Sequence, residues 1–369
     1  MKAIAITPGT KGMQLIDRPE PSITKPDDIK MHVVHVGICG TDREEVSGGR
    51  ADAPSGKKQL VIGHEMFGQV VEIGQSVSKV HPGDYAVFTV RRGCGKCLPC
   101  LMNRSDMCCT GDYRERGIKG EDGYQTEFVV DSEQYVVPVP VGLKPIGVLC
   151  EPLSVVVKAI HEAGRLQMAR LPGAPTMLDW PHGRRCLISG LGPVGLLAAM
   201  VLRLHGADVF GIDIVSADTA RPQWLTAIGG HYLDDRNIPP EKLPDLLGSM
   251  DIIIEATGVP KLAFNLMDAL SSNGIYVLVG IPGGERDIPI PGAELLRRLV
   301  LNNQVIIGSV NAARTHFQLA IDELQCAYDR WGEHIEKLIT RHFPYEQFHD
   351  AFALHDPEEI KVVVDWMKG

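Results

Sequence analysis

The chain has 369 residues, of which 44% are hydrophobic and 22% charged, and its formal net charge is −9 at pH 7. This length and composition favour about two globular domains. The negative charge, without a basic patch, argues against a nucleic-acid partner, because phosphate binding needs a basic face. Neither a secretory leader nor a long apolar run is found, so we expect a cytoplasmic protein with no membrane partner.

Residues 1 to about 137 alternate between short apolar runs and glycine or proline. The runs are K-A-I-A-I, I-K-M-H-V-V-H-V, G-Q-V-V-E-I-G, Y-A-V-F-T-V and Q-T-E-F-V-V. Closely spaced strands of this kind predict a twisted β-barrel or sandwich-like domain whose loops carry function.

Three short motifs in and after this region carry metal-ligand chemistry: G-I-C-G-T-D, G-H-E-M-F-G and C-E-P-L. Taken singly, Cys39 is more often a small buried apolar residue, and His64 beside Glu65 is more often a surface pair. Taken together, the motifs supply a thiolate, an imidazole and carboxylates, which suit a catalytic zinc ion with room for a substrate oxygen. The candidate ligands are Cys39, His64, Glu65 and Glu151.

Nine cysteines are present, and five of them lie within residues 94–109. In a reducing compartment such a cluster favours metal binding over disulfides. The spacing C-x2-C-x2-C-x7-C is typical of a closed, tetrahedral structural zinc site. Its predicted ligands are Cys94, Cys97, Cys100 and Cys108. Cys109 could replace Cys108 or stay free, and an iron–sulfur cluster is the alternative occupant.

From about residue 185 to 307 the pattern changes to alternating strands and helices. The apolar runs are C-L-I-S-G, D-V-F-G-I, D-I-I-I-E-A-T-G, G-I-Y-V-L-V-G and Q-V-I-I-G-S. They predict a parallel sheet covered on both faces by helices. Residues 164–184, with three prolines, are interpreted as a surface excursion or connection. The C-terminal residues, with a predicted helix at 316–329 and the strand-like K-V-V-V-D-W, fit neither pattern and are placed against the first domain.

The stretch C-L-I-S-G-L-G-P-V-G joins a predicted strand to a helix through G-x-G-x-x-G. This motif suits a dinucleotide pyrophosphate, because backbone N–H groups at the helix N-terminus face the anion. Alone it is weak evidence, since glycine clusters also occur in ordinary turns. Asp213 follows about 20 residues later, where a carboxylate accepts hydrogen bonds from the ribose of NAD and repels the extra phosphate of NADP. We therefore expect NAD, with NADP as the alternative.

Over essentially the whole chain, the order of the motifs resembles that of the zinc-containing medium-chain dehydrogenase/reductases. The motifs are G-I-C-G-T-D, G-H-E, the cysteine loop, E-P-L and G-L-G-P-V-G. Four further segments resemble the glucose dehydrogenase branch of this superfamily. They are V-R-R-G-C-G-K-C, D-M-C-C-T-G-D-Y-R-E-R-G-I, the proline-rich stretch and G-S-V-N. The resemblance implies an α/β fold with two domains. A β-rich GroES-like catalytic zinc domain is expected at 1–184, completed by 310–369, and a Rossmann domain with a doubly wound parallel sheet at 185–309.

The resemblance also implies roles for individual residues. Cys39 and His64 hold the catalytic zinc, with Glu65 and Glu151 as further ligands or exchangeable partners. Thr41 touches the substrate oxygen and starts a proton relay, although a threonine there could serve only the turn.

Polar residues of other motifs are implied to serve the substrate. Glu115 and Asn311 contact sugar hydroxyls, although Glu115 could instead pair with Arg114 or Arg116 at the surface. Asp42 is expected to orient a zinc ligand.

Cofactor contacts are expected at the ends of successive strands, where open α/β sheets bind ligands. Lys361 matches a basic residue of the family that can reach the cofactor, although a solvated lysine is the commoner case. The expected set is Gly190, Leu191, Gly192, Pro193, Val194, Gly195, Asp213, Ile214, Thr257, Gly280, Ile281, Ser309, Val310, Asn311 and Lys361.

The resulting hypothesis is a zinc-dependent oxidoreductase that passes hydride from a sugar hydroxyl, C1 of an aldose such as glucose, to NAD(P) and forms the lactone. A polyol, L-threonine or other alcohol dehydrogenase is the alternative within the superfamily. A zinc-independent quinone reductase and a catalytically silent NAD-binding protein are the remaining alternatives. Asp213-Ile214-Val215 stands where several sugar-oxidising relatives carry basic residues. A homodimer or homotetramer is expected by resemblance.

Overall fold

The computed structural model describes residues 1–171, 179–236, 238–239, 242–283, 287–353 and 356–367. The chain forms two compact units, a β-rich unit of Met1–Ser154 with Asn311–Gly369 and an α/β unit of Val155–Val310. The expected domains divide at residues 184/185 and 309/310, and as domain assignments they stay predictions. The first unit boundary, between Ser154 and Val155, falls earlier in the chain, inside a helix that begins at Cys150.

The elements are numbered here in chain order. The strands are β1 (Lys2–Ile6), β2 (Gln14–Asp17), β3 (Asp28–Ile38), β4 (Leu60–Val61), β5 (Glu65–Ile73), β6 (Tyr85–Phe88), β7 (Arg91–Arg92), β8 (Arg114–Arg116), β9 (Gly120–Glu121), β10 (Phe128–Ser132), β11 (Val136–Val139), β12 (Arg185–Ser189), β13 (Asp208–Asp213), β14 (His231–Asp234), β15 (Met250–Glu255), β16 (Leu270–Leu278), β17 (Val305–Gly308), β18 (Ile339–Pro344) and β19 (Lys361–Asp365). The helices are α1 (Gly40–Val46), α2 (Leu98–Leu101), α3 (Cys150–Arg170), α4 (Pro193–Leu204), α5 (Ala220–Ala227), α6 (Leu243–Leu247), α7 (Pro260–Leu266), α8 (Gly292–Leu301), α9 (Arg314–Trp331) and α10 (Phe348–Ala353). Among these described segments no helix combines the length and the apolar character that a membrane crossing requires.

The β-rich unit is built around β3. Its main sheet has seven strands in the order β11-β6-β5-β3-β19-β18, with β10 also paired to β3. Alternate residues of β3, including Met31 and Val33, are fully buried, as the alternating pattern predicts. The end of β3 pairs with the C-terminal strand β19, Ile38 opposite Val362. This pairing brings the C-terminal segment beside the residue that follows β3, Cys39.

The α/β unit has a six-stranded parallel sheet in the order β14-β13-β12-β15-β16-β17. Numbered from β12, this is the 3-2-1-4-5-6 order of a Rossmann fold, so the predicted doubly wound sheet is confirmed. The apolar runs pack a core that includes Leu187, Ile253 and Tyr276. No apolar run in the sequence predicts β14, because this strand has four residues and its side chains are partly exposed.

One expectation about the connection between the lobes is wrong for residues 164–170, which belong to α3 instead of a surface excursion. Tertiary hydrogen bonds stabilise these last turns, since the Gln167 amide donates to the carbonyl oxygen of Asn273 at 2.8 Å. The rest of that expectation falls partly on residues 172–178, which lie outside the described residues. The helix predicted at 316–329 is confirmed by α9.

Candidate active site

The first functional cluster begins where β3 passes into α1. Cys39 is the N-cap of α1, and its sulfur accepts a hydrogen bond from the Thr41 N–H at 3.2 Å. In return, the Asp42 carboxylate accepts the Cys39 N–H at 2.8 Å. This reciprocal cap fixes the direction of the thiol at the helix start.

Cys39, His64 and Glu65 come together and are called the Cys-His-Glu cluster below. One ligand atom from each lies within 4.8 Å of the others, and the Cys39 sulfur is 3.2 Å from His64 Nε2. Around a tetrahedral zinc, a Zn–N bond of about 2.0 Å and a Zn–S bond of about 2.3 Å would separate the nitrogen and sulfur atoms by about 3.5 Å. The residues present therefore fit a zinc ion with little movement.

The other ring nitrogen of His64 faces Asp42. The Nδ1 atom lies 3.5 Å from Asp42 Oδ1, and among the described residues neither atom has a hydrogen-bond partner at normal distance. Both side chains are buried. Carboxylates in this position orient metal-ligating histidines, which is the role expected for Asp42.

Glu65 is held from its other side by Lys361. The Lys361 amine donates to both carboxylate oxygens at 2.8 and 2.6 Å and to the carbonyl oxygen of Ile38 at 3.1 Å. Lys361 is 1% exposed, so this is a buried ion pair. Burial works against the charged amine, but Glu65 raises the net pKa of Lys361 above its ordinary value.

Glu151 lies in the first turn of α3 and is buried. Its carboxylate is not a member of the Cys-His-Glu cluster as the described residues define it. Burial raises the pKa of Glu151 to about 7; the imidazole of His64 opposes the shift and the Glu65 carboxylate adds to it. For the same reason burial raises the pKa of the Cys39 thiol, with His64 opposing the shift. A bound cation would reverse both effects by favouring the anionic ligands.

The second group, called the cysteine cluster, consists of Cys94, Cys97, Cys100 and Cys108, whose sulfur atoms all lie within 4.8 Å of one another. The Cys94 and Cys100 sulfurs are 3.9 Å apart, and those of Cys97 and Cys108 are 4.0 Å apart. Tetrahedral zinc with bonds of about 2.3 Å needs about 3.8 Å between sulfurs. The cluster therefore fits one ion with four thiolate ligands, whereas a cluster of several irons would hold the sulfurs further apart. Cys109 is exposed and outside the cluster.

A third group, called the Glu115 cluster, joins Arg91, Glu115 and Asn311. Arg91 donates to Glu115 Oε1 at 3.1 and 2.8 Å, and the Asn311 amide donates to the same oxygen at 2.6 Å. Asn311 has a left-handed backbone with φ of 62°. The turn after Glu115 packs against the backbone of Gly63, the residue before His64, because a Cβ atom on Gly117 would lie 2.4 Å from the carbonyl oxygen of Gly63.

Arg91 was not among the expected site residues. It is buried and also donates to the carbonyl oxygen of Asp106 at 2.9 Å. Of the two arginines considered as surface partners of Glu115, Arg114 is exposed and contacts Glu121. Arg116 is largely buried and contacts both Glu121 and Asp131. The sequence signal for Arg91 is a pair of adjacent arginines in an otherwise apolar strand region.

The α/β unit carries a cavity of about 650 Å³ at the carboxyl ends of β12, β13 and β15. Gly190, Gly192, Asp213, Ile214 and Thr257 are among its lining residues. Asp213 accepts the backbone N–H groups of Leu191 and Ile214, each at 2.7 Å. The turn at residues 190–195, called the glycine turn, is tight, because a Cβ atom on Gly195 would lie 1.9 Å from the carbonyl oxygen of Gly190.

The remaining expected cofactor residues follow the next strands of the same sheet. Gly280 and Ile281 come after β16, and Ser309 and Val310 come after β17. Because the carboxyl ends of parallel strands meet at one edge of a sheet, they extend the same edge as the cavity. Pro193 and Val194 begin α4 behind the N-cap Gly192, so this helix N-terminus opens at the glycine turn. Lys361 belongs to the other unit, where it is paired with Glu65.

The amino-acid sequence matches two family patterns. Residues 25–141 match the alcohol dehydrogenase GroES-like domain, and residues 144–366 match the glucose dehydrogenase C-terminus. The chain belongs to the glucose dehydrogenase family of zinc-containing medium-chain dehydrogenase/reductases.

Individual members of this family match over their full length. The chain is 37% identical over 369 residues to a glucose 1-dehydrogenase of Methanocella arvoryzae, covering 99% of both chains. A glucose 1-dehydrogenase of Thermoproteus tenax is also 37% identical, with 99% of both chains covered. Among solved structures, the glucose dehydrogenase of Haloferax mediterranei in complex with NADP, Zn and gluconolactone is 30% identical, with a TM-score of 0.88 and complete coverage of both chains.

In this member of the glucose dehydrogenase family, some groups of expected site residues come from one short segment, and others join residues that are far apart in the chain. The cysteine cluster and the glycine turn each come from one short segment. The Lys361 contact with Glu65 and the Arg91 and Asn311 contacts with Glu115 join residues far apart in the chain. Thr41 lies in the first turn of α1, two residues after Cys39.

Proposed function

We propose that this chain is a zinc-dependent dehydrogenase that oxidises the C1 hydroxyl of an aldose such as glucose to the lactone with NAD(P). The observation that carries the proposal is the Cys-His-Glu cluster, with ligand atoms within 4.8 Å. It lies on a chain that is 37% identical over its length to a glucose 1-dehydrogenase. The reaction removes a proton and a hydride from the substrate and leaves lactone, reduced cofactor and a proton.

Cys39 and His64 are proposed to hold the catalytic zinc, with Glu65 and Glu151 as exchangeable ligands. When bound, the ion supplies Lewis acidity toward a substrate oxygen. The Thr41 hydroxyl is proposed to accept the substrate hydroxyl proton and pass it toward solvent. Lys361 is proposed to act through Glu65, because its amine already makes three buried hydrogen bonds. Its contact with the cofactor stays a prediction.

Glu115 and Asn311 are proposed to recognise the sugar. Arg91 and Asn311 converge on Glu115 Oε1, which leaves the second oxygen of this carboxylate to accept sugar hydroxyls. A site with such fixed polar groups discriminates strongly against substrates that lack matching hydroxyls, since the groups would then be left unpaired. This supports an aldose over a simple alcohol.

The cavity of the α/β unit is proposed to bind the dinucleotide, its pyrophosphate at the N-terminus of α4 and its adenosine ribose at Asp213. Asp213 favours NAD. Arg221 and Arg236 line the same cavity and offer positive charge to the extra phosphate of NADP. We therefore propose that both cofactors are used and that Asp213→Ser shifts the preference toward NADP. An unchanged ratio of kcat/KM values for the two cofactors would contradict this assignment.

We propose a cytoplasmic homodimer or homotetramer. The supporting feature is α8, whose residues Leu296, Val300 and Leu301 are 64, 75 and 72% exposed. This helix directly precedes β17, the edge strand of the parallel sheet. An exposed apolar face beside an open sheet edge is suited to self-association. Light scattering at micromolar concentration would measure the mass, and a monomer would contradict the proposal.

The function is tested with the zinc-loaded enzyme and a panel of aldoses, alditols, threonine and primary alcohols, each with NAD and with NADP. We expect aldose oxidation with lactone as the product, and loss of turnover after chelation. Cys39→Ser should abolish turnover, whereas Cys326→Ser, at an exposed cysteine, should leave it intact. Turnover of simple alcohols alone would reject the sugar assignment, and turnover that survives chelation would favour a zinc-independent reductase.

A further inference from the structure

His35, His342 and Asp365 form a separate group in the β-rich unit, called the His-His-Asp cluster. The Nδ1 atoms of His35 and His342 lie 2.7 and 3.0 Å from Asp365 Oδ1. One ligand atom from each residue lies within 4.8 Å of the others. The glucose dehydrogenase reaction as proposed above uses none of the three.

Strand pairing brings the cluster together. The residues come from three adjacent strands, β3, β18 and β19, with Asp365 directly opposite His35. His342 pairs with Val363, two positions before Asp365 along β19. Since residues two apart on a strand share a face, all three side chains project from the same side of the sheet.

The donor groups are already directed at one point. The His35 ring stacks on Phe67 at 6.2 Å and meets the His342 ring edge-on at 5.4 Å. Burial opposes ionisation of Asp365, but hydrogen bonds from His342 and His35 lower its pKa to about 2. At neutral pH the cluster therefore offers a carboxylate between two imidazole rings.

We propose that the His-His-Asp cluster binds a divalent first-row transition ion, Zn²⁺ or one of similar preference, as a third metal site. Two imidazoles and one carboxylate form a ligand set that suits such ions and leaves a position for water. Tetrahedral zinc needs about 3.3 Å between nitrogen and oxygen ligands, so the rings would move outward by about half an ångström. His342 can do so, because it is 46% exposed and lies on the edge strand β18.

Such an ion would link the C-terminal strand β19 to β3 through its ligands. β3 leads into Cys39, and β19 begins with Lys361, which holds Glu65. Binding to the folded state alone raises its stability by mass action. Zinc added beyond the content of the Cys-His-Glu and cysteine clusters should therefore raise the midpoint of thermal unfolding.

The experiment uses the full-length enzyme with those two clusters filled with zinc. After equilibrium dialysis against Zn²⁺, metal analysis should find about one more equivalent per chain in the unaltered protein than in His342→Gln or Asp365→Asn. His81→Gln is the matched control, because His81 is an exposed histidine beside an aspartate, Asp84, at 3.7 Å. It should bind as much zinc as the unaltered chain.

A second measurement does not depend on how the variants fold. Cu²⁺ added to the unaltered enzyme, with zinc in the Cys-His-Glu and cysteine clusters only, should give an electron paramagnetic resonance spectrum with coupling to two imidazole nitrogens. Equal zinc content in the unaltered chain and both cluster variants would overturn the proposal. A copper spectrum without nitrogen coupling would overturn it as well.

Discussion

Asp42→Asn tests the link between the start of α1 and the Cys-His-Glu cluster. The Asp42 carboxylate accepts the Cys39 N–H at 2.8 Å with one oxygen and lies 3.5 Å from His64 Nδ1 with the other. Asparagine keeps one carbonyl oxygen for the helix cap, so α1 should still begin at the same residue. The charge that faces His64 is lost, and an amide NH₂ takes its place.

Loss of a carboxylate behind a metal-ligating histidine weakens metal binding about 10- to 100-fold, or about 1.4–2.7 kcal/mol. Because Asp42 is fully buried, water cannot replace the missing charge, and we expect the upper half of this range. The assay is competition for zinc against a chromogenic chelator, read as the dissociation constant of the zinc ion at the Cys-His-Glu cluster. The cysteine cluster provides an internal reference, since its zinc should be retained.

Glu44→Gln is the matched control, because Glu44 lies on the same helix with an exposed side chain. It should leave zinc affinity unchanged. If the dissociation constant of zinc at the Cys-His-Glu cluster of Asp42→Asn stays within about twofold of the control, the role of Asp42 in orienting His64 is refuted.

Three further predictions concern buried ionisable side chains. Glu45 is buried, and burial together with Asp42 raises its pKa from 4.5 to about 9, so the folded state keeps a proton that the unfolded chain releases. Stability should therefore fall as pH rises from about 4.5 to 9, and Glu45→Gln should add up to about 3 kcal/mol at pH 7 in denaturant unfolding. Arg91→Met should raise KM for the sugar more than it lowers kcat in steady-state kinetics, because Glu115 loses its two charged hydrogen bonds. Asp131→Asn should lower the free energy of unfolding by about 3–5 kcal/mol. The reason is that Arg92 and Arg116, whose side chains are largely buried, lose their shared carboxylate.

The controls for these changes lie close by in the chain. Parallel pH dependence of stability in Glu45→Gln and the unaltered protein would contradict the buried-proton argument. Arg114→Met, at an exposed arginine, should leave sugar KM unchanged, and an equal rise would contradict the role of Arg91. Asp112→Asn breaks an exposed pair and should cost at most about 1 kcal/mol.

Several features could be predicted from the sequence because short segments of the chain contain all of their parts. The cysteine cluster, the glycine turn before α4 and the parallel strands are of this kind, since spacing and apolar runs determine them directly. The strand β14 was missed for the converse reason, because its four residues carry no strong apolar signal. The expected surface excursion was wrong for residues 164–170, because these last turns of α3 depend on a tertiary hydrogen bond from Gln167.

The residue types available to bind metal, dinucleotide and sugar follow from the amino-acid sequence alone, since the motifs contain their chemistry and their local spacing. Which distant side chains meet depends on the folding of the whole chain. The pairing of β3 with β19 brings Lys361 to Glu65 and Asp365 to His35, and the return of the chain after Val310 brings Asn311 to Glu115. The physical reason is that strand register over hundreds of residues is set by burial of the whole sheet and not by any local pattern.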